Sequence, residues 1–129
     1  MLIIKTSSET MTQVVRQQKH ALPRQPRLSP GEIILISEKR KTLAPGKKPI
    51  QYLMEFVRCY EDIEKESIKI WGRYWPYIIE GKNCRQLRLP FDICEHQVTK
   101  KDYGRGGTIV YVTKEDSKIL EDKGLLNTL

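Results

Sequence analysis

Residues 32–37, reading E-I-I-L-I-S, constrain this chain more than any other stretch. Four apolar residues in a row, with no polar alternation, leave neither face of a strand for water, so this strand belongs at the centre of a sheet covered on both sides. Pro30-Gly31 ahead of it is a turn. Residues 50–60 supply a second, longer strand: Ile50, Tyr52, Met54 and Phe56 fall on one side, while Gln51 and Glu55 on the other are broken by Leu53 and Val57. It too is packed on both faces. The connection between the two is a basic loop, in which Lys39-Arg40-Lys41 and Lys47-Lys48 bracket a turn at Ala44-Pro45-Gly46.

The flanking segments supply what covers these strands. Leu2, Ile3 and Ile4 form a short opening strand, and Thr6-Ser7-Ser8-Glu9 has the Thr-x-x-Glu spacing of a capping box. In the helix that follows, Met11, Val14, Val15 and Gln18 lie at i, i+3, i+4 and i+7, with Thr12, Arg16 and Lys19 opposite. Pro23, Pro26 and Pro30, with Arg24 and Arg27, make residues 22–30 a basic extended surface segment. Residues 61–70 read as a short helix or an irregular turn. Trp75-Pro76 starts a strand through Glu80, Gly81-Lys82-Asn83 is a turn, residues 84–89 pair back as a hairpin, and residues 90–93 leave the sheet. Residues 103–107 are a flexible basic loop. Thr113-Lys114-Glu115-Asp116 begins a last helix with Ile119 and Leu120 inward and Gly124 as its stop. The expectation is an α+β fold, a twisted, partly closed antiparallel or mixed sheet of five to six strands with a helix after the first and another at the end, in one domain spanning residues 1–129.

Composition narrows the function. Apolar residues at 39% and charged residues at 30% describe a globular chain rather than a disordered one. No window approaches eighteen consecutive apolar residues, so neither a spanning helix nor a signal peptide is expected, and the chain reads as cytoplasmic with no membrane partner. Three cysteines without a C-x-x-C pair fit reduced thiols. Cys84, Cys94 and His96 lack a fourth zinc ligand, and no metal or cofactor is expected. Residues 1–50 hold ten Lys or Arg against three Asp or Glu, and residues 51–129 hold thirteen of each, so the first half carries the whole net charge of +7. Such clustering suits a polyanion partner, or a solvated face kept for solubility.

Trp71, Tyr74, Trp75 and Tyr77 crowd into seven residues, interleaved with Gly72 and Arg73. Two readings are open. These rings close one end of a small sheet as core, or they wall a pocket while their N–H or O–H groups meet a polar partner.

The order of these segments resembles the PUA-like superfamily, in particular its EVE and YTH branch, and the resemblance implies a small twisted β-barrel of five to six strands flanked by two or three helices. Lys5-Thr6-Ser7-Ser8 is similar to that branch's first strand ending in Lys-Ser; Lys19-His20-Ala21-Leu22-Pro23 stands where relatives carry a Trp-Gly-Val-Pro segment; Pro30-Gly31-Glu32-Ile33 resembles a Pro-Gly-Asp strand start. Trp71-Gly72-Arg73-Tyr74 resembles the segment giving a second cage tryptophan, and Arg105-Gly106 with the helix at Thr113 resembles the closing loop and helix. The resemblance implies a nucleic-acid-binding module, for DNA or RNA, that recognises a flipped and modified base in an aromatic pocket. It implies a base pocket of Lys5, Thr6, Ser7, Ser8, His20, Leu22, Trp71 and Tyr74, with phosphates held by Arg24, Arg27, Arg73 and Arg105. His20 replaces the first cage tryptophan, offering a smaller stacking face and a hydrogen bond. It also implies a targeting role within a larger restriction or RNA-processing assembly.

Two other functions stay open. An RNA- or nucleotide-processing enzyme of the same superfamily has only His20 and His96 as bases near neutral pH, with no phosphate loop, nucleophile elbow or paired acids. No catalytic residue is therefore assigned. A protein-interaction adaptor predicts no salt-dependent binding to DNA or RNA.

Overall fold

The computed structural model describes all residues, 1–129. Six strands, β1 (Leu2–Thr6), β2 (Lys19–Leu22), β3 (Ile33–Glu38), β4 (Ile50–Glu61), β5 (Tyr77–Phe91) and β6 (Ile109–Tyr111), form one sheet in the order β2-β5-β4-β3-β1-β6. Three helices, α1 (Ser8–Gln17), α2 (Glu66–Trp71) and α3 (Lys114–Asp122), pack around it, and short 3₁₀ turns follow β3 and β5. The fold is α+β, a six-stranded curled half-barrel, and β2 and β6 form its two edges.

The two-residue period of the strands divides the core in two. Leu2 and Ile4 of β1, Ile34 and Ile36 of β3 and Ile79 of β5 pack with Met11 and Val14 of α1 on one face. Ile3, Leu35, Leu53, Leu87 and Val110 pack with Leu120 of α3 on the other. Strand β3 lies inside the sheet, between β4 and a parallel β1, with residues 34–37 all buried. That is the placement its unbroken apolar run demands.

Several local expectations are corrected. Ser7, not Thr6, is the N-cap of α1, its hydroxyl accepting from the Thr10 N–H, because Thr6 still belongs to β1. Helix α1 stops at Gln17, Gln18 is left-handed, and Lys19 opens β2 instead of extending the helix. The expected hairpin at Gly81-Lys82-Asn83 does not form. Strand β5 runs unbroken through it, and both halves pair with β4 as far as Phe91 opposite Ile50. Asn83, left-handed at φ 53°, and three shifts of register absorb the extra residues as bulges that curl the ribbon. Gly81 is needed for contact rather than for a turn, since a Cβ there would lie 2.5 Å from the Met54 Sδ. Helix α2 takes its place between β4 and β5, and β6, only three residues long, is too short for a periodic signal.

Candidate nucleic-acid interface

The aromatic segment is held by a cap. The Asp62 carboxylate, at the end of β4, accepts from the Glu66 and Ser67 N–H groups and from the Ser67 hydroxyl at 2.5 Å, fixing the start of α2. Burial alone would raise the Asp62 pKa, but these hydrogen bonds outweigh it and hold the group below its ordinary range. The Ser67 hydroxyl in turn accepts from the Trp75 N–H at 2.9 Å, so one buried serine orients both ends of the aromatic run. Glu66 accepts from Lys19 Nζ at 2.8 Å and from the Tyr60 hydroxyl at 2.7 Å, clamping α2 to the start of β2. Gly72, at φ 75°, ends the helix with Trp71 as its last residue.

This placement lays Trp71 on His20 of β2, ring centroids 6.2 Å apart and planes 27° from parallel. Both rings line a pocket of 230 Å³ with Lys5, Thr6, Ser7, Thr10, Ala21, Lys39, Arg73, Trp75 and Thr108. A base sandwiched between two rings needs roughly 6.8 Å, twice the stacking distance. At 6.2 Å the two rings as they stand are too close for a base to enter between them, and both line the pocket.

The polar groups of the pocket are unevenly satisfied. The indole Nε1 of Trp71 is buried and has no hydrogen-bond acceptor in the protein. A buried donor in that condition carries a desolvation cost of about 1–3 kcal/mol. His20 Nδ1 lies 2.5 Å from the Ala21 carbonyl; a carbonyl only accepts, so Nδ1 carries the proton and Nε2 is a bare acceptor. Burial pushes the His20 pKa down to about 4, with the Ala21 contact opposing it and the Lys39 charge adding to it. The imidazole is thus neutral at pH 7. The hydroxyls of Thr6 and Ser7, in the same lining, both bond that of Thr10.

Cations ring the opening. The Lys39 N–H donates to the Thr6 carbonyl at 2.8 Å, which fixes that residue at the rim. Lys5 Nζ donates to the carbonyls of Tyr103 and Arg105 at 2.7 and 3.2 Å, and burial, then the nearby Arg40 charge, lower its pKa. Arg73 lies 4.8 Å from the Trp75 ring centroid.

Of the residues expected at the site, Lys5, Thr6, Ser7, His20, Trp71 and Arg73 come together here. Others lie elsewhere. Ser8 lines a separate pocket with Met11, Thr12 and Tyr52, its N–H donating to Thr42 Oγ1. Leu22, two residues beyond His20 on the same face of β2, is sealed in the core. Tyr74 is exposed beside Ile63, Lys65 and Ile68. Arg24, Arg27 and Arg105 are exposed and do not line the pocket; the Arg27 N–H donates to the Tyr111 hydroxyl, and Arg105 pairs with Asp102 at 3.2 Å. The sequence reading missed Thr10, Ala21, Lys39 and Thr108, and left Trp75 open between core and pocket wall, where the structure puts it in the lining. Thr10 was within reach, one helical turn after the capping serine, whereas Thr108 arrives only through the pairing of β6 with β1.

No protein-family model matches the sequence, and no characterised protein matches it. Solved structures do match. The crystal structure of the ASCH protein from Zymomonas mobilis aligns at a TM-score of 0.67 and 12% identity over 94% of this chain and 93% of that one. A serine-to-alanine variant of the same protein aligns at 0.66 and 12% identity over 95% and 94%. The chain therefore has the fold of those ASCH structures over nearly its whole length.

Proposed function

We propose that the chain is a non-catalytic nucleic-acid-binding module that takes one base of a single strand into the pocket at Trp71. One observation carries this reading: two near-parallel rings, His20 and Trp71, line one pocket together with the Thr6, Ser7 and Thr10 hydroxyls and the cations Lys5, Lys39 and Arg73. Hydroxyls both donate and accept, which suits the edge of adenine or cytosine, where a ring-nitrogen acceptor stands beside an amino donor. The base stacks against the His20–Trp71 rings, its edge reaches the Thr6, Ser7 and Thr10 hydroxyls, and Lys39 and Arg73 hold the flanking phosphates. A methyl group on that base, as in N6-methyladenine or 5-methylcytosine, adds an apolar contact with the indole face, which is the EVE- and YTH-like form of the reading. The PUA-like fold and the basic first half of the chain support it.

The test is fluorescence-polarisation binding of short single-stranded DNA and RNA, plain or carrying either methylated base, at two salt concentrations. Trp71→Ala weakens the preferred strand by about tenfold or more, the worth of one stacked base, and leaves a weaker salt-sensitive component. Binding that is identical for all strands and indifferent to Trp71→Ala refutes the base pocket. Cleavage of the strands during the assay refutes the non-catalytic role.

A further inference from the structure

A larger cavity of 340 Å³ adjoins the Trp71 pocket and shares Lys5, Lys39 and Thr108 with it. Along β1, Thr6 lines only the Trp71 pocket, Ile3 only the larger cavity, and Lys5 between them lines both. We propose that this cavity seats the base of the neighbouring nucleotide, with Lys5 and Lys39 holding the phosphodiester that joins the two. This rests on the nucleic-acid reading above and extends it from one base to two.

Size, charge and surface chemistry carry the assignment. The volume is at the low end of small-molecule sites, about 300–1,000 Å³, so it has room for one base and little more. Ile3, Ile50 and Ile93 give it an apolar lining against which a flat ring lies. Its two carboxylates are already engaged. Glu38 accepts from Gln51 Nε2 and Thr42 Oγ1, and Asp92 accepts from Arg40 Nη2 and the Cys94 N–H. Arg40 and Asp92 cancel, while the donors to Glu38 are neutral and leave its charge in place, so Lys5 and Lys39 make the lining positive by one. Lys39 forms no ion pair, and the Lys5 amine meets two neutral carbonyls, so both cations at the shared wall lack an anion. Arg40 uses only Nη2 on Asp92 and Cys94, which leaves its other N–H groups for the carbonyl or ring nitrogen of a base edge.

Cys94 is exposed and lines this cavity, whereas Cys59 and Cys84 are half-buried, so its thiol reports occupancy in the unaltered protein. The experiment measures the rate of Cys94 alkylation by iodoacetamide, by mass spectrometry, with saturating single-stranded RNA or DNA hexamer and with the matching nucleoside monophosphate. The hexamer slows alkylation about tenfold and the monophosphate, held at Trp71, does not. In parallel, Cys94→Trp fills the cavity and weakens the hexamer about tenfold while leaving the monophosphate unchanged. A hexamer whose affinity depends on Trp71 but which leaves Cys94 alkylated at the free rate overturns the second seat alone. So does a monophosphate that shields Cys94 as well as the hexamer does. If no strand binds, the proposed function itself falls, and this extension with it.

Discussion

Removing the carboxylate of Asp116 tests how the loop bearing Tyr103 is fixed. Asp116 is fully buried in α3 and accepts four hydrogen bonds: from the Val98 N–H at 2.7 Å, the Thr99 N–H at 3.1 Å, the Thr99 hydroxyl at 2.5 Å and the Tyr103 hydroxyl at 2.5 Å. Burial alone would raise its pKa, but these donors outweigh it and hold the carboxyl well below the ordinary carboxylate range. Asp116→Ala strands all four. The Val98 N–H lies in an exposed residue and regains water, whereas the Tyr103 hydroxyl belongs to a residue only 4% exposed. At about 1–3 kcal/mol for each donor left buried, and with relief from desolvating a charge set against it, the net cost is about 3–4 kcal/mol at pH 7. Asp116→Asn keeps one acceptor oxygen and costs about half as much. The assay is urea unfolding followed by the fluorescence of Trp71 and Trp75. Because the folded pKa lies below the ordinary 3.8, the carboxylate's contribution is complete above that pH and is lost as the pH falls through and below it. The gap between wild type and Asp116→Asn therefore narrows at pH 3. A gap for Asp116→Ala under about 1 kcal/mol at pH 7, or one for Asp116→Asn that is constant with pH, refutes the account. The same network bears on the pocket, since the Tyr103 carbonyl holds Lys5 Nζ.

Two further outcomes follow from the core. Gly81→Ala puts a methyl group 2.5 Å from the Sδ of the fully buried Met54 and 3.1 Å from the Glu55 carbonyl; overpacking of this kind costs about 2 kcal/mol, read as a fall in Tm of about 8 °C. An unchanged Tm would mean that β5 does not cross β4 as closely as described. His20, whose pKa falls from the ordinary 6.5 to about 4 on burial, binds its proton more readily in the unfolded chain. Stability therefore drops as pH falls from 6.5, by about 2 kcal/mol at pH 4.5, and His20→Gln removes that slope; an equal slope in the variant would place the titration elsewhere.

The sheet was legible because burial on both faces leaves a mark on consecutive residues. Residues 32–37 could not be a surface strand, and β3 lies between β1 and β4 as that run requires. Thr113 and Gly124 likewise mark the ends of α3 through local hydrogen bonding and a left-handed φ of 69°. Local chemistry misled at Gly81-Lys82-Asn83, where turn-forming residues serve as a bulge inside β5. A long antiparallel partner in β4 offers more ladder hydrogen bonds than a two-strand hairpin would.

Composition and periodicity determined an α+β domain with a basic first half, a capped first helix and an aromatic cluster ahead of a strand. The tertiary structure alone decided what that cluster touches. His20 and Trp71 meet because β2 pairs with Tyr77–Glu80 of β5 while the Asp62–Ser67 cap and the Lys19–Glu66 pair swing α2 over β2. Thr108 and Lys39 join them through hydrogen bonds to β1. Such contacts link residues far apart in the chain, and no local period records them; they exist only once burial of the two core faces has fixed the register of the sheet.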